Sequence, residues 1–432
     1  MSETLLTHLP HLISEAQEAA AEALAAAQLH PEGPSAASAV IRADNLAALA
    51  QLAVAAERDE SCRAALVYLD PPYDSGADYR NRIETAVDGA TVALTQLAYR
   101  DRWRDGTDDY LRMLIPRLIL AHRLLADDGA LIVHLDWHAS HVVRMVLDEL
   151  CGRDNFVNHI VWAYRSGGAS RTSSVPRKHD DLLLYRRGPE FRIRPQRERQ
   201  LLDKPFMGSK IDAAGNHYVD TLLRDVLEGN YRLVDGDTLR AVSVRPVLNV
   251  SSERTGYATQ KPEGLLEILL RWCTDDGDLV VDAFGGSGTT AVVAARLGRR
   301  FITVDASARA EVTTRSRLDA IGADYLVQRD TADAPGQMRV ELTDDRSLLR
   351  NYEPAAGLES LLRAATAEPN IDGWAALAGW AVTDSIGRRQ ASWRQGGAAP
   401  ARAIELTDMQ GTLFIEAFDL AGRVTQTELT RS

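Results

Sequence analysis

Asp70, Pro71, Pro72 and Tyr73 place a carboxylate, a stiff turn and an aromatic ring directly after the apolar run Ala64-Ala65-Leu66-Val67-Tyr68-Leu69. The run reads as a buried strand. Two consecutive prolines end it, because proline has no N–H for the ladder and fixes its own φ. A carboxylate and a ring held at the edge of a sheet suit chemistry on the amino group of a flat heterocycle. A second group lies far along the chain, at Asp278-Leu279-Val280-Val281-Asp282-Ala283-Phe284-Gly285-Gly286-Ser287-Gly288-Thr289-Thr290. It reads as a strand, a glycine-rich turn and then a helix through Ala291–Leu297. Glycine lets the backbone approach a ligand closely, and a helix N-terminus offers free N–H groups to an anion. The Gly-x-Gly-x-x-Gly spacing of a dinucleotide site and the Gly-Lys-Thr of a phosphate loop are both absent. A tight structural turn is the alternative reading.

Positioning these groups requires a sheet. Seven apolar runs are candidate strands: Ala39–Arg42, Ala65–Leu69, Ala130–Leu135, His159–Tyr164, Asp181–Tyr185, Leu279–Ala283 and Phe301–Val304. Helical patterns separate most of them, one marked by Leu111, Leu114, Ile115, Leu118, Ile119 and Leu125, another by Leu265, Ile268, Leu269 and Trp272. Strands alternating with helices imply a mostly parallel sheet covered on both faces. The fourth and fifth runs are joined by a Gly/Ser-rich loop and are expected to pair antiparallel. Residues 10–30 form an alanine-rich packing helix, broken by His30-Pro31-Glu32-Gly33-Pro34. Beyond about residue 330, Trp380–Val382, Ala401–Leu406, Leu413–Phe418 and Val424–Leu429 suggest a small β-rich appendix.

The chain has 432 residues, 45% hydrophobic and 25% charged, which suits a globular protein with a large core and two or three domains. No apolar run is long enough for a membrane span, and Met1-Ser2-Glu3-Thr4 lacks the basic flank of a signal peptide. Cys62, Cys151 and Cys273 are too few and too scattered for a disulfide framework or a thiolate metal site, and fit a reducing compartment. His134, His138 and His141 have helical spacing, but His134 falls in a strand, so no metal site is expected. The net charge of −12 opposes phosphate binding as a whole. Between Arg165 and Gln200, however, about ten Arg and Lys face about four acids, including Arg171, Arg177, Lys178, Arg186, Arg187, Arg192 and Arg194. That cluster is either a phosphate-facing surface or a solvated hairpin.

Three further segments carry candidate ligands. Asp305 ends the strand Phe301-Ile302-Thr303-Val304 about twenty residues after the glycine turn, where an acid can hold ribose hydroxyls or cap a helix. Lys261, in Tyr257-Ala258-Thr259-Gln260-Lys261-Pro262, can make a charge-assisted bond to a carboxylate, while Pro262 starts a helix. Asp44, in Ala43-Asp44-Asn45-Leu46, is equally suited to an N-cap.

The order Asp-Asn, Asp-Pro-Pro-Tyr, basic hairpin, Thr-Gln-Lys-Pro and Gly-rich turn resembles the β-class DNA amino-methyltransferases. It is most similar to the modification subunits of type III restriction systems and their stand-alone relatives. The likeness covers roughly residues 35–320 and includes Arg177-Lys178-His179-Asp180-Asp181-Leu182. The family usually has Gly where Ala43 stands. The resemblance implies an α/β, Rossmann-like sheet of seven strands in the order 3-2-1-4-5-7-6, with a small C-terminal β-rich appendix. It implies a helical segment over 1–34, a methyltransferase domain over 35–330 with a basic hairpin and DNA-recognition region at 165–255, and a β-rich domain over 331–432. It implies S-adenosylmethionine as cofactor, held by Asp44, Asn45, Lys261, Asp282, Phe284, Gly285, Gly286, Ser287, Gly288, Thr289 and Asp305. Asp44 would lie near the adenine, Asp305 on the ribose and Lys261 at the methionine carboxylate. Asp70, Pro71, Pro72 and Tyr73 would be catalytic on the N6 amine of an adenine flipped out of DNA, with the polar stretch 74–109 closing over it. The implied setting is cytoplasmic, in restriction-modification or phage defence, with a homodimer or a restriction/helicase subunit as partner. The alternatives are an N4-cytosine or RNA methyltransferase, or a non-catalytic DNA-binding subunit.

Overall fold

A computed structural model describes residues 4–29, 37–87, 90–104, 106–165, 175–248, 251–330, 336–343, 345–354, 358, 362, 373–395 and 398–430. Arg171 and the His30–Pro34 break lie outside the described residues. Nine strands form the central sheet: β1 (Ala39–Arg42), β2 (Ala64–Leu69), β3 (Leu125–Leu135), β4 (Phe156–Ala163), β5 (His179–Arg186), β6 (Val226–Glu228), β7 (Leu279–Asp282), β8 (Arg300–Asp305) and β9 (Leu326–Arg329). Their order is β6-β4-β5-β3-β2-β7-β8-β1-β9. The expectation of seven strands is therefore corrected to nine. The two extra strands, β6 and β9, are edge additions of 3 and 4 residues that are mostly not buried, unlike the equally short but buried β1 and β7, so they carry no apolar run. The sheet is mixed, because β5 runs antiparallel to both β3 and β4.

Both faces are covered. The helices α1 (Leu5–Leu29), α2 (Asn45–Arg58), α3 (Thr107–Leu124) and α4 (Ser140–Leu147) bury Leu12, Leu49, Leu52, Leu114 and Val143 on one side. On the other, α5 (Glu263–Cys273), α6 (Thr289–Arg296) and α7 (Ala308–Ala320) contribute Leu265, Leu269, Val292 and Leu318. Burial on both faces explains why β2 and β7 read as continuous apolar runs without alternation. Among the described residues, no helix is long and apolar enough to cross a membrane.

Register decides where the site lies. The strands β2, β7, β8 and β1 are consecutive neighbours and all parallel. Tyr68 pairs with Asp282, Asp282 with Thr303, and Arg42 with Asp305. Adjacent strands lie about 4.8 Å apart. The chain after each strand, which carries Asp70, Phe284–Gly288, Asp305 and Asp44, must therefore emerge along one carboxyl edge. In open α/β sheets that edge is where ligands bind.

Three further β units surround the sheet. The stretch 74–109, read as polar, contains a hairpin of Ala77–Val87 and Ala90–Asp101. Within 165–255, the strands Arg197–Leu202, Lys210–Ile211, His217–Leu222, Asn230–Asp235 and Thr238–Ser243 form an antiparallel sheet. The C-terminal strands make a three-stranded sheet and a four-stranded sheet. The latter holds Glu416, which is ion-paired to Arg315 of α7 and Arg329 of β9.

Candidate active site

Asp70 follows β2 directly, and both of its oxygens hold a donor. The Tyr73 hydroxyl donates to Oδ1 at 2.6 Å, and the Lys261 ammonium donates to Oδ2 at 2.5 Å. Burial, followed by the Asp70 charge, pushes the Tyr73 phenol well above its ordinary pKa, so it stays protonated and can donate. The Lys261 ammonium also lies 5.3 Å from the centre of the Tyr73 ring. Tyr73 stacks on His134 with ring centres 6.2 Å apart and planes at 22°.

His134 is the middle of a buried hydrogen-bonded chain. Its Nδ1 pairs with the Tyr68 hydroxyl at 2.8 Å and its Nε2 with Asp180 Oδ2 at 3.1 Å. The Tyr164 hydroxyl donates to Asp180 Oδ1. Burial alone would raise the Asp180 carboxyl, but His134, Lys261 and Tyr164 together hold it below the usual range. This chain forms a rigid shelf behind the Tyr73 ring.

The glycine turn occupies the next strand end. Asp282 accepts the Phe284 N–H at 3.0 Å and the Thr290 hydroxyl at 2.6 Å, so it ties the turn to the first turn of α6. Burial, with Asp70 and Asp305 nearby, raises its pKa to about 7. Gly286 has φ +50°, and a Cβ there would come within 3.3 Å of the Tyr257 ring. Its N–H donates to Asp305 Oδ2 at 2.9 Å, and the Ser307 N–H donates to Oδ1 at 2.8 Å. Each Asp305 oxygen thus keeps acceptor capacity for a ligand. Burial raises the Asp305 carboxyl above its ordinary pKa.

Asp44 caps α2 by accepting from the Leu46 and Ala47 N–H groups, and Arg117 bridges it to Asn45. Asn45 Nδ2 donates to the Ala283 carbonyl at 2.7 Å, tying α2 to the glycine turn. Asp44 is thus an N-cap that also borders the cleft.

A single cleft of about 290 Å³ is lined by Asp44, Asn45, Asp70, Pro71, Pro72, Tyr73, Lys261, Asp282, Phe284, Gly285, Gly286, Ser287, Thr289 and Asp305. Gly288 is the exception and corrects the reading of the turn. It sits at φ +75° as the N-cap of α6 and faces Thr314, where a Cβ would clash at 2.4 Å. Lys261 lines the cleft, but its observed partner is Asp70. Tyr99 of the 74–109 stretch and Tyr257 of the Lys261 segment also line it, as does Arg117, which no sequence motif flags. Several arginines of the basic cluster have partners within the chain: Arg187 bonds His122, Arg194 bonds Asp275, and Arg177 stacks on Trp137.

The geometry is that of a cleft with a carboxylate and aromatic shelf at one end and a glycine turn with the strand-end acid Asp305 at the other. A family model described as DNA methylase matches residues 64–314. The type II methyltransferase M.EcaI of Enterobacter cloacae is 28% identical over 332 residues, covering 65% of this chain and 69% of that protein. The DNA adenine methyltransferase YhdJ of Escherichia coli K12 is 23% identical over 242 residues, covering 56% and 71%. A probable type III restriction-modification enzyme, the HindVI Mod subunit of Haemophilus influenzae, is 30% identical over 144 residues, which are 33% of this chain and 16% of that one. Among solved structures, the cytosine-N4-specific PvuII DNA methyltransferase is 17% identical with a TM-score of 0.40, covering 68% of this chain and 98% of that one. The M1.HpyAVI–SAM complex is 17% identical with a TM-score of 0.38, covering 65% and 100%. The family match spans more than half of the chain, and the protein belongs to the N6/N4 DNA methylases, enzymes that use S-adenosylmethionine.

Proposed function

We propose that this chain transfers a methyl group to the N6 amine of adenine in DNA. The observation that carries the reading is the shared cleft: Asp70 and the glycine turn leave adjacent parallel strands and line the same cavity. Asp-Pro-Pro-Tyr, as against the Ser-Pro-Pro alternative of the resembled family, supports adenine over cytosine.

The residues present suit the cofactor. Gly286 keeps the turn open beside Tyr257, and Asp305 offers acceptors for a vicinal diol. Asp282 is buried and Asp305 half-buried, and a positively charged ligand in the cleft would favour the ionised form of both. Asp44, Asn45, Phe284, Ser287 and Thr289 would complete the enclosure. When bound, S-adenosylmethionine supplies an electrophilic methyl group.

The chain's own residues do the rest. The exocyclic amine of adenine is a poor nucleophile, because its lone pair is delocalised into the ring. Asp70 accepts a hydrogen bond from the amine N–H, assisted by the Pro71 carbonyl, and so draws the nitrogen towards tetrahedral geometry. Since Tyr73 and Lys261 already occupy both Asp70 oxygens, the incoming N–H takes a remaining lone pair or displaces one of them. Tyr73, backed by His134, presents a π-face to a base flipped out of the duplex, a contact worth about 1–3 kcal/mol. Positioning and electrostatics carry the catalysis.

The finer organisation belongs to the same reading. We read the inner seven of the nine strands, with the glycine-turn strand β7 counted first, as the 3-2-1-4-5-7-6 order that the resemblance implies; the neighbour order of the sheet supports this. We assign residues 1–34 as a helical segment, 35–330 as the methyltransferase domain with DNA recognition in 165–255, and 331–432 as a β-rich domain. The names of the type II and type III relatives support a restriction-modification role in the cytoplasm, with a second copy or a restriction subunit as partner. Digesting DNA methylated by the protein and identifying the modified nucleoside tests the assignment. N6-methyladenine is expected, whereas N4-methylcytosine would overturn the adenine assignment.

A further inference from the structure

Asp101 ends the second strand of the hairpin, and its side chain is fully buried. Five donors converge on it. Oδ2 accepts from Tyr73 N at 3.1 Å, Ser75 N at 2.9 Å and Ser75 Oγ at 2.6 Å. Oδ1 accepts from Asp74 N at 2.9 Å and Trp103 Nε1 at 3.1 Å. Three consecutive backbone N–H groups, immediately after the two prolines, thus share one carboxylate. Pro71 and Pro72 have no N–H of their own, so the turn that carries Asp70 cannot be fixed by ladder bonds at those positions. Its anchorage falls to the residues just beyond.

The clamp also holds a strained residue. Asp74 has φ +59°, in the left-handed region that costs a non-glycine residue about 1 kcal/mol or more. Its N–H is held by Asp101, and its carboxylate accepts from Thr107 Oγ1 at 2.8 Å. The same hairpin grips the segment that carries Lys261. Asn81 Oδ1 accepts the Ala258 N–H at 2.8 Å, and Arg82 N donates to the Gly256 carbonyl at 2.9 Å. One hairpin therefore fixes both members of the Asp70–Lys261 pair.

We propose that Asp101 is a positioning residue for methyl transfer, holding the turn after Pro72 so that Asp70 and Tyr73 face the reacting amine. This rests on the reading of Asp70 as the catalytic carboxylate. The clamp needs an acceptor on both sides, so the isosteric Asp101→Asn should fail: whichever way the amide is turned, its NH2 faces at least two N–H donors. A residue needed only for its shape would tolerate that change.

The test measures kcat on duplex DNA and calorimetric cofactor affinity for the wild type, Asp101→Asn, Ser75→Ala and Asp70→Ala. For Asp101→Asn, kcat is expected to fall about 10²-fold with cofactor affinity unchanged, since a displacement of about 1 Å costs that much. Ser75→Ala removes one donor and keeps the backbone bonds, so a fall of a few-fold with intact cofactor affinity is expected. An Asp101→Asn enzyme at full kcat, beside an inactive Asp70→Ala, would overturn the clamp and leave the site reading standing. An active Asp70→Ala would overturn the site reading itself. If Asp101→Asn loses cofactor binding through misfolding, Ser75→Ala decides: full kcat there overturns the proposal, and reduced kcat with intact cofactor binding supports it.

Discussion

The two ends of the cleft are built in different ways. At the end we assign to the cofactor, the two acids hold groups close in sequence, Asp282 tying Phe284 and Thr290 and Asp305 holding Ser307 and, 19 residues away, Gly286, with Asn45 joining the turn at Ala283 from 238 residues away. At the catalytic end, support comes from a distance. Asp101 reaches back 26–28 residues to Tyr73, Asp74 and Ser75, Lys261 lies 191 residues from Asp70, and His134 lies 66 from Tyr68. A turn that begins with two prolines lacks backbone donors at those two positions, and its remaining N–H groups find their acceptor in a distant residue. The difference predicts that the two ends can be damaged separately.

Asp70→Ala should have the largest effect. Methyl transfer should fall by about 10³-fold or more, while calorimetry shows cofactor affinity unchanged. A parallel loss of affinity would mean that the two ends are not independent. Asp305→Ala should give the converse: cofactor affinity weaker by about 10- to 100-fold, with kcat at saturation nearly preserved. Lys261→Met strikes the junction. It removes the cation from Asp70 but leaves the Tyr73 bond, and kcat should fall about 10-fold in a single-turnover assay.

The smallest effect on rate comes from Asp282. Its carboxyl pKa is raised from 3.8 to about 7 in the folded state. Between those values the folded protein binds more protons than the unfolded chain, so stability falls as pH rises from about 4 to about 7 and then levels off. Urea denaturation midpoints across that range should show the decline, and Asp282→Asn should flatten it without reducing kcat at saturating cofactor.

The same contrast explains what the sequence made legible. The strand–turn–helix at Leu279–Arg296 is written in one contiguous stretch, so its turn and Asp282 could be read directly. The parallel neighbours β2, β7 and β8 are runs apolar on both faces, and their strand ends led to Asp70 and Asp305. Asp101 was illegible, because an acid at the end of a polar stretch carries no signal until the hairpin brings it under Tyr73. Ile83 and Leu94 are buried in that hairpin, but the polar Asn81 and Thr85 share the buried face and break the apolar alternation. His134 was read as structural. Its ring does pack in the core, yet it also backs Tyr73, a role set by the parallel pairing of β2 with β3. Gly288 is indistinguishable in sequence from the adjacent glycines of the turn, and only the fold shows that it faces Thr314.

The most direct test of the central claim is a crystal structure of the protein with S-adenosylhomocysteine. The account predicts the ribose hydroxyls on Asp305 and the sulfur directed along the cleft towards the Asp70–Tyr73 turn. An adenosyl group seated away from Asp305, or a sulfur turned from Asp70 with protein between them, would contradict it.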